Sequence, residues 1–284
     1  MMSQYKDLSI PVSVIGPGSQ PDEGGVLEYM SMPNDMSIFN APVLMDYSLE
    51  NYPHAVEVID KVSKALHADT QAFPITIDFS TIPEADLDFL NKFLGEGEVS
   101  VLFNQDKIQC RIQETVLAGV WRIASNESGK ISHAIEVGYT PSIVIQKTFK
   151  NANQSIQLPE TMPEGVINAP SLLTELSEKS SSWQAGDEAH IVNLTLLPQS
   201  PQDLDMLGEY LQEGPTIFLS RGYGSCRVSS TKLKNTWWVQ YFNSEDKLIL
   251  NTLEISDVPI VTQASQEDII DSQERIQEML ESIQ

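Results

Sequence analysis

Cysteine and positive charge are scarce in this chain, and both scarcities restrict its function. The 284 residues contain two cysteines, and 17 Lys and Arg stand against 40 Asp and Glu, for a formal net charge of −23. Two isolated cysteines cannot build a disulfide framework, so we expect a reducing compartment and place the protein in the cytoplasm. A chain this acidic repels phosphate backbones and anionic lipid headgroups, which argues against nucleic acid and membrane surfaces as partners.

Long apolar runs and a basic leader are also missing. No stretch of the sequence reaches the roughly 18 apolar residues that cross a bilayer, so we expect no direct membrane insertion. The N-terminus has no basic segment followed by an extended apolar run, so no secretory signal is recognisable. Apolar residues still make up 41% of the chain, which is enough for a hydrophobic core.

Catalytic and cofactor motifs are equally rare. The sequence contains no phosphate loop, no nucleophile elbow and no HExxH helix, and its four histidines are scattered. The Gly222-Tyr223-Gly224 motif lies between two predicted strands, so we interpret it as a hairpin turn. Two acidic pairs, Asp86-x-Asp88 and Asp203-x-Asp205, are interpreted as solvated acids on exposed helix turns. We therefore expect a non-enzymatic protein with no catalytic residues, no metal site and no cofactor.

The chain instead contains an internal repeat. Residues match at offsets of 116 to 118, and the matches keep their order: Ile75 with Ile191, Leu90 with Leu207, Gly97 with Gly214, Cys110 with Cys226, Trp121 with Trp237 and Pro141 with Pro259. The repeat divides the sequence into an acidic N-terminal arm (1–52), a first repeat (53–147), a linker (148–169), a second repeat (170–264) and a C-terminal amphipathic helix (265–284).

Each repeat is predicted to contain a helix, a strand, a second helix and a β-meander, in that order. In the first repeat, apolar spacing predicts helices over His54 to Leu66 and over 84–94, followed by four strands. In the second, the corresponding helices are predicted over Ser171 to Lys179 and over 202–212. These patterns predict an α+β fold in which two copies of one unit pack in a pseudo-twofold arrangement, with a helix at the C-terminus.

The two cysteines occupy equivalent positions in the repeats, which leaves two interpretations. Cys110 and Cys226 are either small buried strand residues or a paired thiol site for redox chemistry or metal delivery. Neither lies in a C-x-x-C motif and no histidine stands at ligand spacing, so the first interpretation is favoured.

One surface of the second repeat differs from its counterpart. Trp237 aligns with Trp121, whereas Trp238 aligns with Arg122, so the second repeat carries an additional aromatic residue on the opposite face of the strand. Aromatic residues and arginine dominate the energetics of protein interfaces. We therefore predict a partner-binding surface made of Arg221, Gly222, Tyr223, Gly224, Arg227, Trp238 and Phe242.

Several short strings, spread in order over the chain, resemble a known family. They are Gly16-Pro-Gly-Ser-Gln-Pro21, Leu94-Gly-Glu-Gly-Glu-Val-Ser-Val101, Ile112-Gln-Glu-Thr115 with Gly119-Val-Trp-Arg122, Gly222-Tyr-Gly224, and Pro259 with Ala264, Glu267, Asp268, Asp271 and Ser272. Together they resemble the HupH/HyaF family of accessory proteins for the expression and maturation of uptake [NiFe] hydrogenases.

The resemblance implies a cytoplasmic, chaperone-like role before the hydrogenase is exported. Its expected partners are a hydrogenase subunit precursor, the small subunit first and the large subunit second, and other maturation proteins. The resemblance assigns no catalytic residue and no cluster ligand. Two alternatives stay open: a redox or metal/iron–sulfur delivery protein that uses Cys110 and Cys226, and a structural subunit of a maturation complex.

Overall fold

The computed structural model describes residues 49–221 and 225–282. Most of the predicted N-terminal arm, with its Gly16-Pro17-Gly18 motif, therefore lies outside the described residues, as does the Gly222–Gly224 motif. Within the described ranges, six α-helices pack against one ten-stranded antiparallel sheet, which confirms the α+β class. None of the helices in these ranges is both long and apolar enough to cross a membrane.

The helices and strands follow the predicted order. The helices are α1 (Pro53–Leu66), α2 (Glu84–Leu94), α3 (Ser142–Lys147), α4 (Ala169–Ser182), α5 (Pro201–Leu211) and α6 (Gln266–Glu281). The strands are β1 (Ile75–Asp78), β2 (Val99–Gln105), β3 (Ile108–Glu114), β4 (Val120–Glu127), β5 (Lys130–Val137), β6 (His190–Asn193), β7 (Glu213–Ser220), β8 (Ser225–Thr231), β9 (Thr236–Phe242) and β10 (Leu248–Ile255).

A single sheet runs through both sequence repeats. Its strand order is β1-β5-β4-β3-β2-β7-β8-β9-β10-β6, so the first half (β1–β5) and the second half (β6–β10) have the same order when read outward from the centre. The halves join through antiparallel pairing of β2 with β7, in which Val101 lies opposite Phe218. The sequence repeat does not predict this pairing, because matching residues in two units contain no information on which strands of the units contact each other.

The two faces of the sheet carry different cores. On one face, Trp121 and Trp237 are fully buried in a cluster built from strands of both halves and from α3. Their indole nitrogens donate to the carbonyl oxygens of Gly138 and Ser256, at 2.9 and 3.3 Å. On the other face, the helix pair α1 and α2 covers the first half, and α4 and α5 cover the second half.

The C-terminal helix returns to the first half of the sheet. Its apolar residues Ile269, Ile276 and Met279 are buried in the core that α1 and α2 form. Gln273 fixes the contact, since its side-chain amide donates to the carbonyl oxygen of Leu66 at 2.7 Å. The predicted amphipathic helix is confirmed, and its opposite side remains exposed and acidic.

Two of the acids interpreted as solvated are in fact buried structural residues, so that interpretation was wrong. Asp86 is 4% exposed and accepts hydrogen bonds from the backbone nitrogens of His54 and Ala55, both at 2.9 Å. Asp203 is fully buried and accepts three such bonds at the start of α4. A carboxylate suits these positions because the first N–H groups of a helix have no partner within the helix. Each aspartate therefore fixes the start of the preceding helix.

The matching glycines Gly97 and Gly214 follow the second helix of each repeat but do not end it. The left-handed residues that end α2 and α5 are Gly95 (φ 58°) and Gln212 (φ 46°). A Cβ atom at Gly97 would lie 2.3 Å from the carbonyl oxygen of Thr115. Glycine is required there because the backbone of β3 passes too close for any side chain.

Candidate functional site

A groove of about 270 Å³ lies between α5 and the central strands of the second half. Leu204, Asp205 and Gly208 of helix α5 form one wall with Gln212, which follows the helix, and the sheet forms the other. The sheet wall consists of side chains that alternate toward this face, since paired residues on neighbouring strands point the same way. It includes Glu213, Arg227, Ser229, Trp238, Gln240, Phe242 and Asn251. We call this cavity the α5 groove.

Arg227 lies at the bottom of the α5 groove and is only 7% exposed. Its guanidinium donates to Glu213 at 2.5 Å and to the Ser229 hydroxyl at 3.1 Å. Ion pairing and hydrogen bonding offset the desolvation of a buried guanidinium. Arg227 was predicted to be part of the partner-binding surface, but in the fold its guanidinium is largely engaged within the chain.

Trp238 and Phe242 lie along the same wall and are half-buried. The indole nitrogen of Trp238 donates to the Asn251 side-chain oxygen at 2.6 Å, which fixes the ring orientation. Trp238 packs against the core under α4 and α5 and also lines the groove. Aromatic rings with a fixed orientation offer a partner a large contact area and lose little conformational entropy on binding.

The first half carries no equivalent groove lining, because different residues stand at the matching positions. Trp238 is replaced by Arg122, whose guanidinium donates to the Asn91 side chain at 3.0 Å and to Glu96 at 3.3 Å. Gly208 is replaced by Asn91, which supplies that contact. A Cβ atom added at Gly208 would meet no atom within 4 Å, so this glycine in the middle of α5 borders open space.

The structure brings three of the predicted site residues together and separates a fourth from the groove lining. Arg227, Trp238 and Phe242 line the α5 groove. Arg221 follows β7, is exposed, and donates its backbone N–H to the Glu98 carbonyl oxygen. Gly222, Tyr223 and Gly224 lie outside the described residues.

Gly208 and the side chains that hold the arginine and the tryptophan in place were not among the predicted site residues. Gly208 could have been found, since a glycine inside a predicted amphipathic helix destabilises it by about 0.5–1 kcal/mol relative to alanine. Glu213 and Asn251 gave no such signal, because their roles depend on pairing between strands that are distant in sequence.

The two cysteines do not form one site in this fold. Cys110 lies on β3 and Cys226 on β8, with β2 and β7 between them. Three strand spacings of about 4.8 Å place them about 14 Å apart at least, well beyond the roughly 7 Å limit for a disulfide. Burial raises the pKa of both thiols, that of Cys226 to about 12, so neither is poised as a thiolate.

Metal ligands are not clustered in the described parts of the chain. Residues 49–221 and 225–282 contain no group of three or more His, Cys, Asp and Glu side chains that could hold an ion. The α5 groove offers two aromatic rings, hydroxyl and amide groups, one internal ion pair and the exposed carboxylate of Asp205. This lining is suited to binding an apolar or aromatic side chain of a partner.

Comparison with known proteins identifies the family. A family model described as "HupH hydrogenase expression protein, C-terminal conserved region" matches residues 50–162 and again residues 166–283. The chain belongs to the HupH family. It therefore shares a family with the proteins that its sequence strings resemble, and the match covers both halves of the sheet.

Three relatives align with this chain over nearly their whole length. The hydrogenase expression/formation protein HoxQ of Cupriavidus necator is 42% identical over 95% of this chain and 96% of its own. HupH of Rhodobacter capsulatus, which has the same description, is 35% identical over 96% and 98%. The hydrogenase-1 operon protein HyaF of Escherichia coli is 28% identical over 94% of each chain.

Proposed function

We propose that this HupH-family protein is a non-enzymatic accessory protein in the maturation of an uptake [NiFe] hydrogenase. It acts in the cytoplasm and binds a hydrogenase subunit precursor before export, in company with other maturation proteins. The observation that carries the proposal is the family match over both halves, together with full-length relatives described as hydrogenase expression/formation proteins. The small subunit is the favoured partner and the large subunit the second.

We infer that the precursor contacts the α5 groove and the Gly222-Tyr223-Gly224 motif. The groove supplies Trp238 and Phe242 as aromatic anchors, and the motif supplies Tyr223 between two glycines. Interface energy is concentrated in such tryptophan, tyrosine and arginine residues. The difference in lining residues between the two halves supports this location. In the first half, Arg122 and Asn91 occupy the positions of Trp238 and Gly208 and bond to each other.

A role in maturation by this groove needs binding and no bond-making step. Of its charged side chains, Arg227 and Glu213 pair with each other, and Asp205 on α5 is exposed. The hydroxyl of Ser229 accepts from that arginine, and no histidine lines the groove among the described residues. The hydroxyl groups of Ser229, Ser230 and Thr231 bond to Arg227 or to backbone groups, so within the described ranges no histidine or carboxylate is paired with them as the base that a nucleophile needs.

We also infer that the two halves are copies of one unit related by a pseudo-twofold axis, with repeats at 53–147 and 170–264 joined by a linker. Matching positions make matching contacts: Asp86 and Asp203 hold helix starts, and Trp121 and Trp237 bond to equivalent carbonyls. Val101 and Phe218 match each other in the repeat at an offset of 117, and they lie opposite each other in the β2–β7 pair. A twofold axis through this strand pair would place matching residues opposite each other in this way. Superposition of 75–137 on 191–255 tests the inference, since both tryptophans should coincide.

The experiment for the proposed function uses the full-length protein and the unprocessed hydrogenase subunits. Capture of each precursor is compared for the parent, Tyr223→Ala, Trp238→Ala and a variant with Glu274 and Glu278 reversed to Lys. Truncation of a central aromatic contact typically costs about 1–3 kcal/mol of binding free energy. We expect Tyr223→Ala and Trp238→Ala to weaken capture of the small-subunit precursor by that amount.

The charge-reversal variant locates the site. Glu274 and Glu278 lie on the exposed side of α6, far from the groove lining. If this variant abolishes capture while Tyr223→Ala binds as tightly as the parent, the partner binds α6 and the groove assignment is wrong.

A further inference from the structure

A second and larger cavity, of about 770 Å³, lies beside α3. It is bounded by Phe73, Tyr139 and Thr140 from the first half, and by Lys234 and Val258 from the second. Side chains of α3 and the residues just after it, including Ile145, Gln146, Phe149 and Lys150, complete the wall. None of its lining residues belongs to the α5 groove. We call this cavity the α3 cleft.

Two lysines give the α3 cleft a positive charge in a strongly acidic protein. Lys150 is exposed and Lys234 is half-buried, and neither forms an ion pair with any residue that the structure describes. The acidic side chain in the lining, Asp257, accepts hydrogen bonds from the Trp183 indole nitrogen at 3.1 Å and from the Gly186 backbone nitrogen at 2.8 Å. The lysines are therefore available to an external carboxylate.

A buried hydroxyl in the cleft has no hydrogen-bond partner in the described parts of the chain. Thr140 is 4% exposed, and its Oγ1 atom is unsatisfied there. A buried polar group without a partner costs free energy, so such a group needs an explanation. The residue that matches Thr140 at an offset of 118 is Val258, which lines the same cleft without a hydroxyl. Packing alone does not require the hydroxyl, and a ligand oxygen would satisfy it.

Apolar surface extends from the cleft to its surroundings. Phe73, Tyr139 and Phe149 supply rings inside it, and Ile145 on its wall is 60% exposed. Ile260, two residues beyond Val258, is 87% exposed. Exposed apolar residues around a cleft are typical of a protein interface, because a small molecule would leave them in water.

We propose that the α3 cleft binds a polypeptide segment of a partner protein that presents a carboxylate next to apolar side chains. Lys150 and Lys234 pair with the carboxylate, Thr140 donates its hydroxyl proton to an oxygen of the segment, and the apolar side chains rest on Phe149 and Ile145. This site is independent of the α5 groove and of the hydrogenase precursor proposed to bind there.

A library of short random peptides displayed on phage is the first probe. It is selected against the full-length parent protein and against a variant with Lys150→Gln and Lys234→Gln. The matched control carries Lys107→Gln and Lys130→Gln, two exposed lysines outside the cleft. We expect selected peptides to contain Asp or Glu beside Leu, Ile, Phe or Tyr, and to bind the control like the parent but the cleft variant about tenfold or more weakly.

Thr140→Val provides a second measurement that does not depend on charge. The valine keeps the shape and removes the unsatisfied hydroxyl, so we expect the melting temperature of the free protein to rise. Affinity for the selected peptides should fall about fivefold, the equivalent of one hydrogen bond. A purely structural threonine would not produce opposite changes in stability and affinity.

Three outcomes would overturn the proposal. Selection of basic or purely apolar peptides contradicts the assigned chemistry, and equal binding by the cleft variant contradicts the assigned place. Free acetyl-glutamate that competes as well as the peptides would show a small-molecule site and refute a polypeptide partner. Trp238→Ala should leave peptide binding unchanged, so failure of this proposal is distinguishable from failure of the α5 groove assignment.

Discussion

Replacing Asp203 by Asn removes the negative charge that fixes the start of α4. The Oδ1 atom of Asp203 accepts hydrogen bonds from the backbone nitrogens of Ile167, Asn168 and Ala169 at 2.8–2.9 Å. Its Oδ2 atom accepts from the backbone nitrogen of Ser200 at 3.0 Å, which closes the capping box of α5. One carboxylate thus stabilises two helix starts.

The magnitude follows from the pKa of this carboxyl. Burial opposes ionisation, but the backbone hydrogen bonds outweigh it and lower the pKa from 3.8 to about 2. A difference of almost two pKa units between the folded and unfolded states corresponds to about 2.5 kcal/mol of stability. Because the folded pKa is the lower one, this stability is fully present above the unfolded pKa, near pH 4, and is lost as the pH falls toward 2.

Urea unfolding of Asp203→Asn and Asp205→Asn measures the effect. Asp205 lies two residues away on the same helix and is exposed, so it is a matched control. Near pH 7 we expect a loss of about 2.5 kcal/mol for Asp203→Asn and less than about 0.5 kcal/mol for the control. The difference should shrink as the pH approaches 2. Equal stability of the two variants near neutral pH would refute this account of the helix start.

The remaining predictions concern other buried groups and the groove. Burial raises the pKa of Glu114 to about 7, so the folded state binds its proton more tightly than the unfolded state and stability falls as the pH rises from about 4.5 to 7. Glu114→Gln should therefore gain up to about 3 kcal/mol near pH 8 in urea unfolding, whereas exposed Glu127→Gln should not. Gly97→Ala should lose about 2 kcal/mol or more because its Cβ would collide with the Thr115 carbonyl, while Gly208→Ala should gain about 0.5–1 kcal/mol; equal thermal shifts would contradict the backbone argument. Serine at both Cys110 and Cys226 should leave hydrogenase maturation nearly intact, and loss of hydrogenase activity without loss of the folded protein would revive the thiol hypothesis. Gly208→Leu should fill the α5 groove and weaken precursor capture with little change in melting temperature, and undiminished capture would exclude the groove.

Local sequence patterns predicted most of the secondary structure. The helices predicted over 84–94 and 202–212 are present as α2 and α5, because an apolar face and a suitable first turn specify a helix locally. Leu87, Leu90 and Leu94 recur at the spacing of one helical face, and Ser200-Pro201 is typical of a helix start. The C-terminal helix was predicted on the same grounds. The α+β class followed from these elements in their order.

Contacts between distant residues could not be predicted in this way. Asp86 and Asp203 look like ordinary surface acids of a helix, and only the packing of the preceding helix start against them shows their role. The β2–β7 pair and the return of α6 to the first half also depend on tertiary packing. Patterns within one element contain no information on such contacts.

The candidate site could be predicted only in part, because many of its contacts join residues that are distant in sequence. The unmatched Trp238 was visible from the comparison of the repeats, and with Phe242 it lines the α5 groove. Arg227 was predicted to contribute to the partner-binding surface, but it is buried and pairs with Glu213. The α3 cleft had no sequence signal, since its lining comes from six separate segments of the chain.

The central claim is that this protein holds a hydrogenase subunit precursor through the second half of its sheet. The most direct measurement is the dissociation constant of the purified full-length protein for the unprocessed small subunit and for the unprocessed large subunit, with the parent and Trp238→Ala compared side by side. The account predicts binding of the small-subunit precursor by the parent and a loss of about 1–3 kcal/mol for the variant. Absence of binding to both precursors, or equal binding by parent and variant, would contradict it.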